Sequence, residues 1–362
     1  MQEKYFGIQG ENSKFVINFK KISLRQLRLI IKSPAKATLI FIFFKIRIFS
    51  LFKKKVFRLK KVQQDFIEQQ QSNGLRFLFL CRGGDHCFGK DSYVFSCSSK
   101  QRVVIYQWSR SVKSQMNLER FYHRISTMEN KMASFDLPSY CMVEYHGQKL
   151  LKLENSDRYT YQSTYSPEFI IQLHQEISAM GIQSQQSWAD YLTRGRHAHK
   201  KLVDAQLPIS HITTCIEQLL DYLDARRQSE FLILYRSHGD FTRWNIMQDD
   251  VTFRALVIDW EWVDERTEHY DLCHYLVNLQ DMAARDFAPK LGKEHFLSQL
   301  SHYGEYEVKL VENDYFLVAM YLLAIIIFFS ETSFLNSDFY GEADIKVIGN
   351  YVKFANALLE LA

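Results

Sequence analysis

The chain has 362 residues, 47% of them hydrophobic and 15% aromatic, enough to bury a large core and to form more than one domain or lobe. Five prolines and 14 glycines exclude a low-complexity chain, and no repeat of solenoid period occurs. Six cysteines form no CxxC pair and no zinc spacing, which points to buried thiols in a reducing compartment. The opening Met-Gln-Glu-Lys lacks the apolar core and cleavage site of a secretory signal, so a cytoplasmic location is expected. The net charge of +4 conceals an asymmetry: residues 1–61 hold 16 Lys and Arg against Glu3 and Glu11, so the arm is +14 and the remainder −10. Such a split suggests a basic arm for an anionic partner on an acidic globular body.

In chain order, the first element is this basic extension, taken as residues 1–70. Within it the stretch from Ala37 to Phe57 mixes apolar and basic residues. Its apolar run is too short for a bilayer, which takes ~20 residues, and Lys45 and Arg47 interrupt it. It reads either as an interfacial segment at an anionic membrane surface or as strands packed on the body. Nucleic acid is disfavoured, because the arm lacks RNA-binding patterns. Leu75–Leu80, Tyr93–Ser96 and Gln101–Trp108 then read as strands, with a glycine-bearing turn containing Gly83, Gly84 and Gly89. Gly84–Lys90 has the spacing of half a phosphate-binding loop, but Asp91 stands where Ser or Thr is needed and no helix clearly follows.

Met116–Ile125 reads as a helix, and Ser139–Leu150 as an apolar strand followed by Glu144, Tyr145 and a glycine. Phe169–Met180 and His211–Leu223 have helical spacing. RGRHAHKK, with His197 and His199, reads as a basic solvated loop. Tyr315–Phe329 is the most apolar stretch; fifteen residues make a buried core helix.

The stretch that carries chemistry is HGDFTRWN, His238–Asn245, followed by Val257-Ile258-Asp259-Trp260-Glu261. Phe231–Tyr235 reads as a buried strand entering the loop, and Ala255–Ile258 as one ending on Asp259. The gap between Asn245 and Asp259 suits a short hairpin. Magnesium takes hard oxygen ligands and needs one or two side chains beside substrate phosphates, and phosphoryl transfer needs mainly positioning and charge neutralisation. The plain alternative is two strands with ordinary capping carboxylates.

At these residues the chain resembles the kinase-like small-molecule phosphotransferases, the aminoglycoside phosphotransferase and choline kinase superfamily. HGDxxxxN and IDWE stand where protein kinases have HRDxxxxN and DFG. The resemblance is sharp over 231–275 and extends from about 75 to 360. A looser likeness is to kinase-like proteins encoded among bacterial surface-polysaccharide genes. The resemblance to the phosphotransferase superfamily implies an α+β, bilobal protein-kinase-like fold: a β-rich N-lobe over 71–147 and a larger helical C-lobe over 148–362. It also implies ATP and Mg2+ as cofactors, Asp240 as catalytic base, and Asn245 and Asp259 as metal ligands, with His238 bracing the loop and Trp260 and Glu261 shaping the metal segment. Arg243 faces an anionic acceptor or solvent.

The family layout further implies phosphate contacts from Gly83, Gly84 and Gly89, a helix glutamate at Glu119, and a lobe linker with adenine contacts at Glu144 and Tyr145. The family's strand lysine has no counterpart, since its position falls at Tyr106 or Gln107; Lys90, Lys100 or Lys113 could supply the charge. Asp271 reads as a helix cap or as a partner of His238. The implied activity moves the γ-phosphoryl group to a hydroxyl of a small molecule, sugar or lipid-linked glycan, by a cytoplasmic protein held peripherally at the inner membrane face through residues 1–61. The rival is an inactive kinase-like scaffold at the membrane.

Overall fold

The computed structural model describes residues 6–9, 14–17, 61–83, 90–97, 102–128, 132–156, 158–162, 164–181, 183–204, 212–227, 229–279, 289–305, 315–332 and 342–359. They fall into two compact units, one drawn from Met1–Ser163 with Trp244–Glu261, the other from Thr164–Arg243 with Trp262–Ala362. The Ala37–Phe57 segment and Gly84 and Gly89 lie outside the described residues.

The first unit is built on a seven-stranded antiparallel sheet. Its strands are β1 (Phe6–Gln9), β2 (Lys14–Ile17), β3 (Arg76–Gly83), β4 (Lys90–Cys97), β5 (Arg102–Ser109), β7 (Ser139–Tyr145) and β8 (Gln148–Ser156), in the order β1-β2-β3-β4-β5-β8-β7. Two short stretches of the basic extension therefore add strands to the edge at β3. Helix α1 (Lys61–Ser72) also belongs to this unit. Its Phe66 makes edge contacts with the rings of Tyr93, Phe95, Tyr106, Trp108 and Tyr145, an aromatic core of the kind that dominates burial energetics. The boundary expected at residue 70 thus falls within a packed helix.

Helix α2 (Val112–Ser126) packs on β5, β7 and β8. Ser111 and Ser114 cap its first turn reciprocally, satisfying backbone N–H groups that have no partner within the helix. A second, four-stranded sheet completes the unit: β6 (Phe135–Asp136), β9 (Tyr159–Thr160), β12 (Ile246–Asp249) and β13 (Ala255–Val257), in the order β6-β13-β12-β9. Buried Trp260 stacks on Phe135 and donates from Nε1 to the Val257 carbonyl at 2.8 Å. This fixes the chain just beyond β13.

The second unit is mainly helical. Its sheet holds β10 (Ser184–Ser187), β11 (Phe231–Ser237) and β14 (Asp264–Thr267), with β11 central. Its helices are α3 (Pro167–Ala179), α4 (Trp188–Asp204), α5 (Ile212–Arg226), α6 (Tyr270–Asn278), α7 (Pro289–Gly304), α8 (Phe316–Thr332) and α9 (Glu342–Leu359). Helix α8, the apolar segment of the sequence, is a core element: Val318 to Leu323 and Ile325 to Ile327 are buried, and it packs on α4, α5, α6 and α9. Among the described residues no helix is long and apolar enough to cross a membrane. Gly195 permits the close approach here, since a Cβ would lie 2.8 Å from Leu220 and 3.1 Å from Leu323.

The basic run RGRHAHKK is the latter half of α4 and not a loop. Trp188, Tyr191, Leu192, Gly195, Ala198 and Leu202 form the buried stripe, and the basic residues occupy the other side, as helical periodicity requires.

Candidate active site

The loop after β11 is shaped by a buried carboxylate. Asp271, in the first turn of α6, is 1% exposed. It accepts hydrogen bonds from the backbone N–H of His238 at 2.7 Å, from that of Gly239 at 2.9 Å and from the Ser237 hydroxyl at 2.8 Å. An anion at a helix N-terminus is favoured by the helix dipole, and here it also orders the backbone of the HGD segment. Gly239 has φ +88°, and a Cβ on it would fall inside contact distance of the Trp262 carbonyl oxygen and 2.8 Å from its carbon. Both facts require glycine at this position. The fully buried His238 accepts the Asp240 backbone N–H on Nδ1 at 3.2 Å, so its ring braces the loop.

Asp240 emerges from this braced segment with its side chain 29% exposed. One carboxylate oxygen meets Nε2 of the buried His274 at 3.2 Å. Arg243 is exposed. In the sequence His274 stands in Tyr270–His274 after the metal segment, where it is one histidine among 12 and nothing local assigns it a role.

Asn245 and Asp259 belong to the first unit. Strands β12 and β13 pair antiparallel with Ile246 opposite Val257, and the Ile258 N–H donates to the Asn245 carbonyl at 2.9 Å. The hairpin thereby brings the chain at Asn245 and at Asp259 to its open end. Asn245 is fully buried, and Asp259 has φ +69°, a left-handed conformation uncommon outside glycine and costing of order 1–3 kcal/mol. Both offer hard oxygen donors, the set that suits magnesium. Among the described residues no cluster of three or more His, Cys, Asp or Glu forms a metal site.

Glu119 of α2 forms an ion pair at 3.2 Å with Lys149 of β8 and accepts from Gln115 at 3.2 Å. The hydrogen bonds from Gln115 and Lys149 hold its carboxyl below the usual range. A lysine–glutamate pair is thus present, with the lysine on the strand next to β5. At the position expected for lysine, Tyr106 is buried and donates to Gln70 of α1 at 2.9 Å; burial raises its pKa.

Glu144 and Tyr145 do not lie in a linker. They end β7, paired with Lys149 and Gln148 of β8 across a turn at His146 and Gly147, both with positive φ. The first unit continues through β8 and β9, so the boundary expected at residue 147 lies inside a hairpin and the chain leaves this unit after Ser163. Gly83 ends β3, paired with Lys90 of β4.

No family model matches the chain, and no curated protein matches it. Solved structures do. A macrolide 2'-phosphotransferase type I superposes with a TM-score of 0.50 at 12% identity, over 84% of this chain and 98% of that one. An aminoglycoside phosphotransferase, APH(2'')-Ib with ADP bound, has a TM-score of 0.44 at 15% identity, over 82% and 98%. An amicoumacin kinase in complex with AMP-PNP and Ca2+ has 0.45 at 11%, over 81% and 92%. The fold is that of the kinase-like small-molecule phosphotransferases, with mixed α+β architecture.

Proposed function

We propose that this chain transfers the γ-phosphoryl group of ATP, with magnesium, to a hydroxyl of a small molecule, sugar or lipid-linked glycan. The observation that carries the reading is the hairpin end where Asp259 is held at φ +69° with Asn245 alongside; backbone strain of this kind concentrates at functional sites. Asn245 and Asp259 would hold magnesium, which when bound neutralises charge on the phosphates.

Asp240 is the base in this reading. Its loop is locked by Asp271, so the carboxylate is preorganised to orient the acceptor hydroxyl and take its proton. Lys149, paired with Glu119, is the cation assigned to the nucleotide phosphates in place of a lysine at Tyr106. Gly83 and the glycines at 84 and 89 are assigned to the same phosphates. Adenine contacts pass from Glu144 and Tyr145 to the backbone of Arg158–Gln162, which precedes the exit from the first unit. The basic arm is assigned to an anionic membrane surface, where each basic residue is worth ~1 kcal/mol.

The second reading, an inactive scaffold, is favoured by Tyr106 alone. Thermal-shift titration with Mg-ATP separates the two. The parent should gain stability with Mg-ATP and not with ATP plus chelator. Asp259→Gly, which removes the carboxylate and relieves the positive φ, should melt no lower than the parent and lose the Mg-ATP shift. A parent with no shift, or a variant with the full shift, overturns the assignment.

A further inference from the structure

The second unit contains a chain of polar groups that the reading above does not use, and it ends on Asp240. His274 of α6 is 2% exposed. Its Nε2 lies 3.2 Å from a carboxylate oxygen of Asp240, and its Nδ1 lies 3.0 Å from the hydroxyl of Tyr321 on α8. The Tyr321 and Tyr351 hydroxyls, the latter on α9, are 3.3 Å apart. Asn278 donates from Nδ2 to the Tyr351 oxygen at 3.2 Å and to the His274 carbonyl at 2.8 Å.

The Tyr321 hydroxyl has one hydrogen and two acceptors within reach, Nδ1 of His274 at 3.0 Å and the Tyr351 oxygen at 3.3 Å, of which His274 is the nearer. A carboxylate can only accept, so Nε2 of His274 must carry hydrogen. A neutral ring then has its lone pair on Nδ1, which accepts from Tyr321, while Tyr351 exchanges hydrogen bonds with the Asn278 amide, at 3.2 Å to Nδ2 and 3.4 Å to Oδ1. Burial raises the Tyr321 pKa well above its ordinary value and the Tyr351 pKa to about 12, so both hydroxyls keep their protons. Tyr270 stacks on the imidazole at 5.9 Å and 13°, and Tyr321 meets its edge at 76°, which fixes the ring plane.

We propose that His274, with its tautomer set by Asp240 on one side and Tyr321 on the other, is a positioning residue that holds the Asp240 carboxylate in one orientation as a preorganised anion. The inference rests on Asp240 being the base of the phosphotransfer proposed above. Because Nε2 is already protonated and Nδ1 is occupied, the proton taken from an acceptor hydroxyl stays on Asp240 and leaves through its exposed part. Groups around the pair that bear on its titration are His238 on the loop, Arg266 on β14, Tyr270 and Asp271 on α6, and Tyr321 and Tyr351.

Two measurements on the full chain test this. In 15N-histidine-labelled protein, the His274 signals, assigned by their loss in His274→Gln, should report a neutral Nε2–H tautomer. Tyr321→Phe, which keeps the ring packing, should replace it with a mixture or with the Nδ1–H form. An Nδ1–H tautomer in the parent, or no change in Tyr321→Phe, overturns the proposal without reference to catalysis. In Mg-ATP turnover with water as acceptor, His274→Ala should lower kcat about 10- to 100-fold, the size of one hydrogen bond to a charged group. KM for Mg-ATP should stay within about twofold.

Loss of a donor to the carboxylate should also move the acid limb of kcat to higher pH, and His274→Gln, which restores an N–H at similar reach, should recover most of both effects. If Asp240→Asn abolishes turnover while His274→Ala and Tyr321→Phe leave kcat and the acid limb unchanged, the inference fails and the phosphotransfer reading stands. If the parent has no turnover, the phosphotransfer reading fails, and the tautomer measurement alone decides whether the relay exists.

Discussion

Replacing Asp271 tests whether one buried carboxylate organises the candidate catalytic loop. Its two oxygens accept from two backbone N–H groups and one hydroxyl, all buried. Asp271→Ala leaves those donors without an acceptor. The Ser237 hydroxyl can rotate toward another partner, whereas the two N–H groups cannot. At about 1–3 kcal/mol for each unsatisfied buried donor, the two together cost ~4 kcal/mol, nearly a thousandfold in the folding equilibrium. Asp271→Asn keeps one acceptor oxygen, shared by Gly239 and Ser237, but turns an amide N–H toward the His238 N–H; half the cost, ~2 kcal/mol, follows. Urea denaturation monitored by tryptophan fluorescence should therefore rank parent above Asn above Ala, with a midpoint loss for Ala of about 1.3–2 M if the slope is ~2–3 kcal/mol/M. Midpoints for Asn and Ala within experimental error of each other and of the parent would refute the argument, because no account that makes Asp271 the loop's acceptor allows it.

Gly239→Ala combines a left-handed φ with a contact against the Trp262 carbonyl; we expect a loss of at least ~3 kcal/mol, read as a fall in melting temperature of about 6–12 °C, and a change under 1 °C would contradict it. Acid should weaken the first unit. Hydrogen bonds to Asp249 from the Val251 N–H and from Thr252, and the nearby Arg158, hold its carboxyl low, and at Asp136 the hydrogen bonds from Arg254 and Tyr159 outweigh burial. Their unfolded counterparts titrate near ~3.9 and bind protons first, so this stability is complete above about pH 5 and is lost as pH falls through the lower native values. Denaturation midpoints at pH 6 and pH 3 should show that loss, and Arg254→Met should lessen it; parallel curves would count against the cluster. Binding of the full chain to anionic vesicles should fall with salt without vanishing, since screening acts on the +14 arm over ~10 Å at 0.1 M and not on burial of its Phe and Ile residues. Equal binding after removal of residues 1–61, with the truncated chain still folded, would return the arm to a structural role.

The elements that could be read from sequence were those set by local periodicity. The strand entering His238, the hairpin between Asn245 and Asp259, the helix after Asp271 and the apolar α8 each have a pattern confined to their own residues. What escaped depends on partners distant in sequence. Lys149 reaches Glu119 only through the register of β8 beside α2, and His274 finds Tyr321 and Tyr351 on helices 47 and 77 residues away. Helix α1 was grouped with the basic extension because its polar majority masks Phe66 and Ile67, its buried anchors. Two misreadings did have a local signal. His146-Gly147, both with positive φ, makes the two-residue turn of a hairpin, and Trp188 to Leu202 carries a helical stripe beneath the charges of RGRHAHKK.

Phosphoryl transfer dependent on Asp240 is tested most directly by following release of the γ-phosphoryl group from radiolabelled Mg-ATP, alongside binding of the same nucleotide, in the parent and in Asp240→Asn. The parent should bind Mg-ATP and turn it over, and the variant should bind it with unchanged affinity and lose about 10²- to 10⁴-fold in rate. Turnover by the variant equal to that of the parent would remove Asp240 from the chemistry and with it the proposed mechanism.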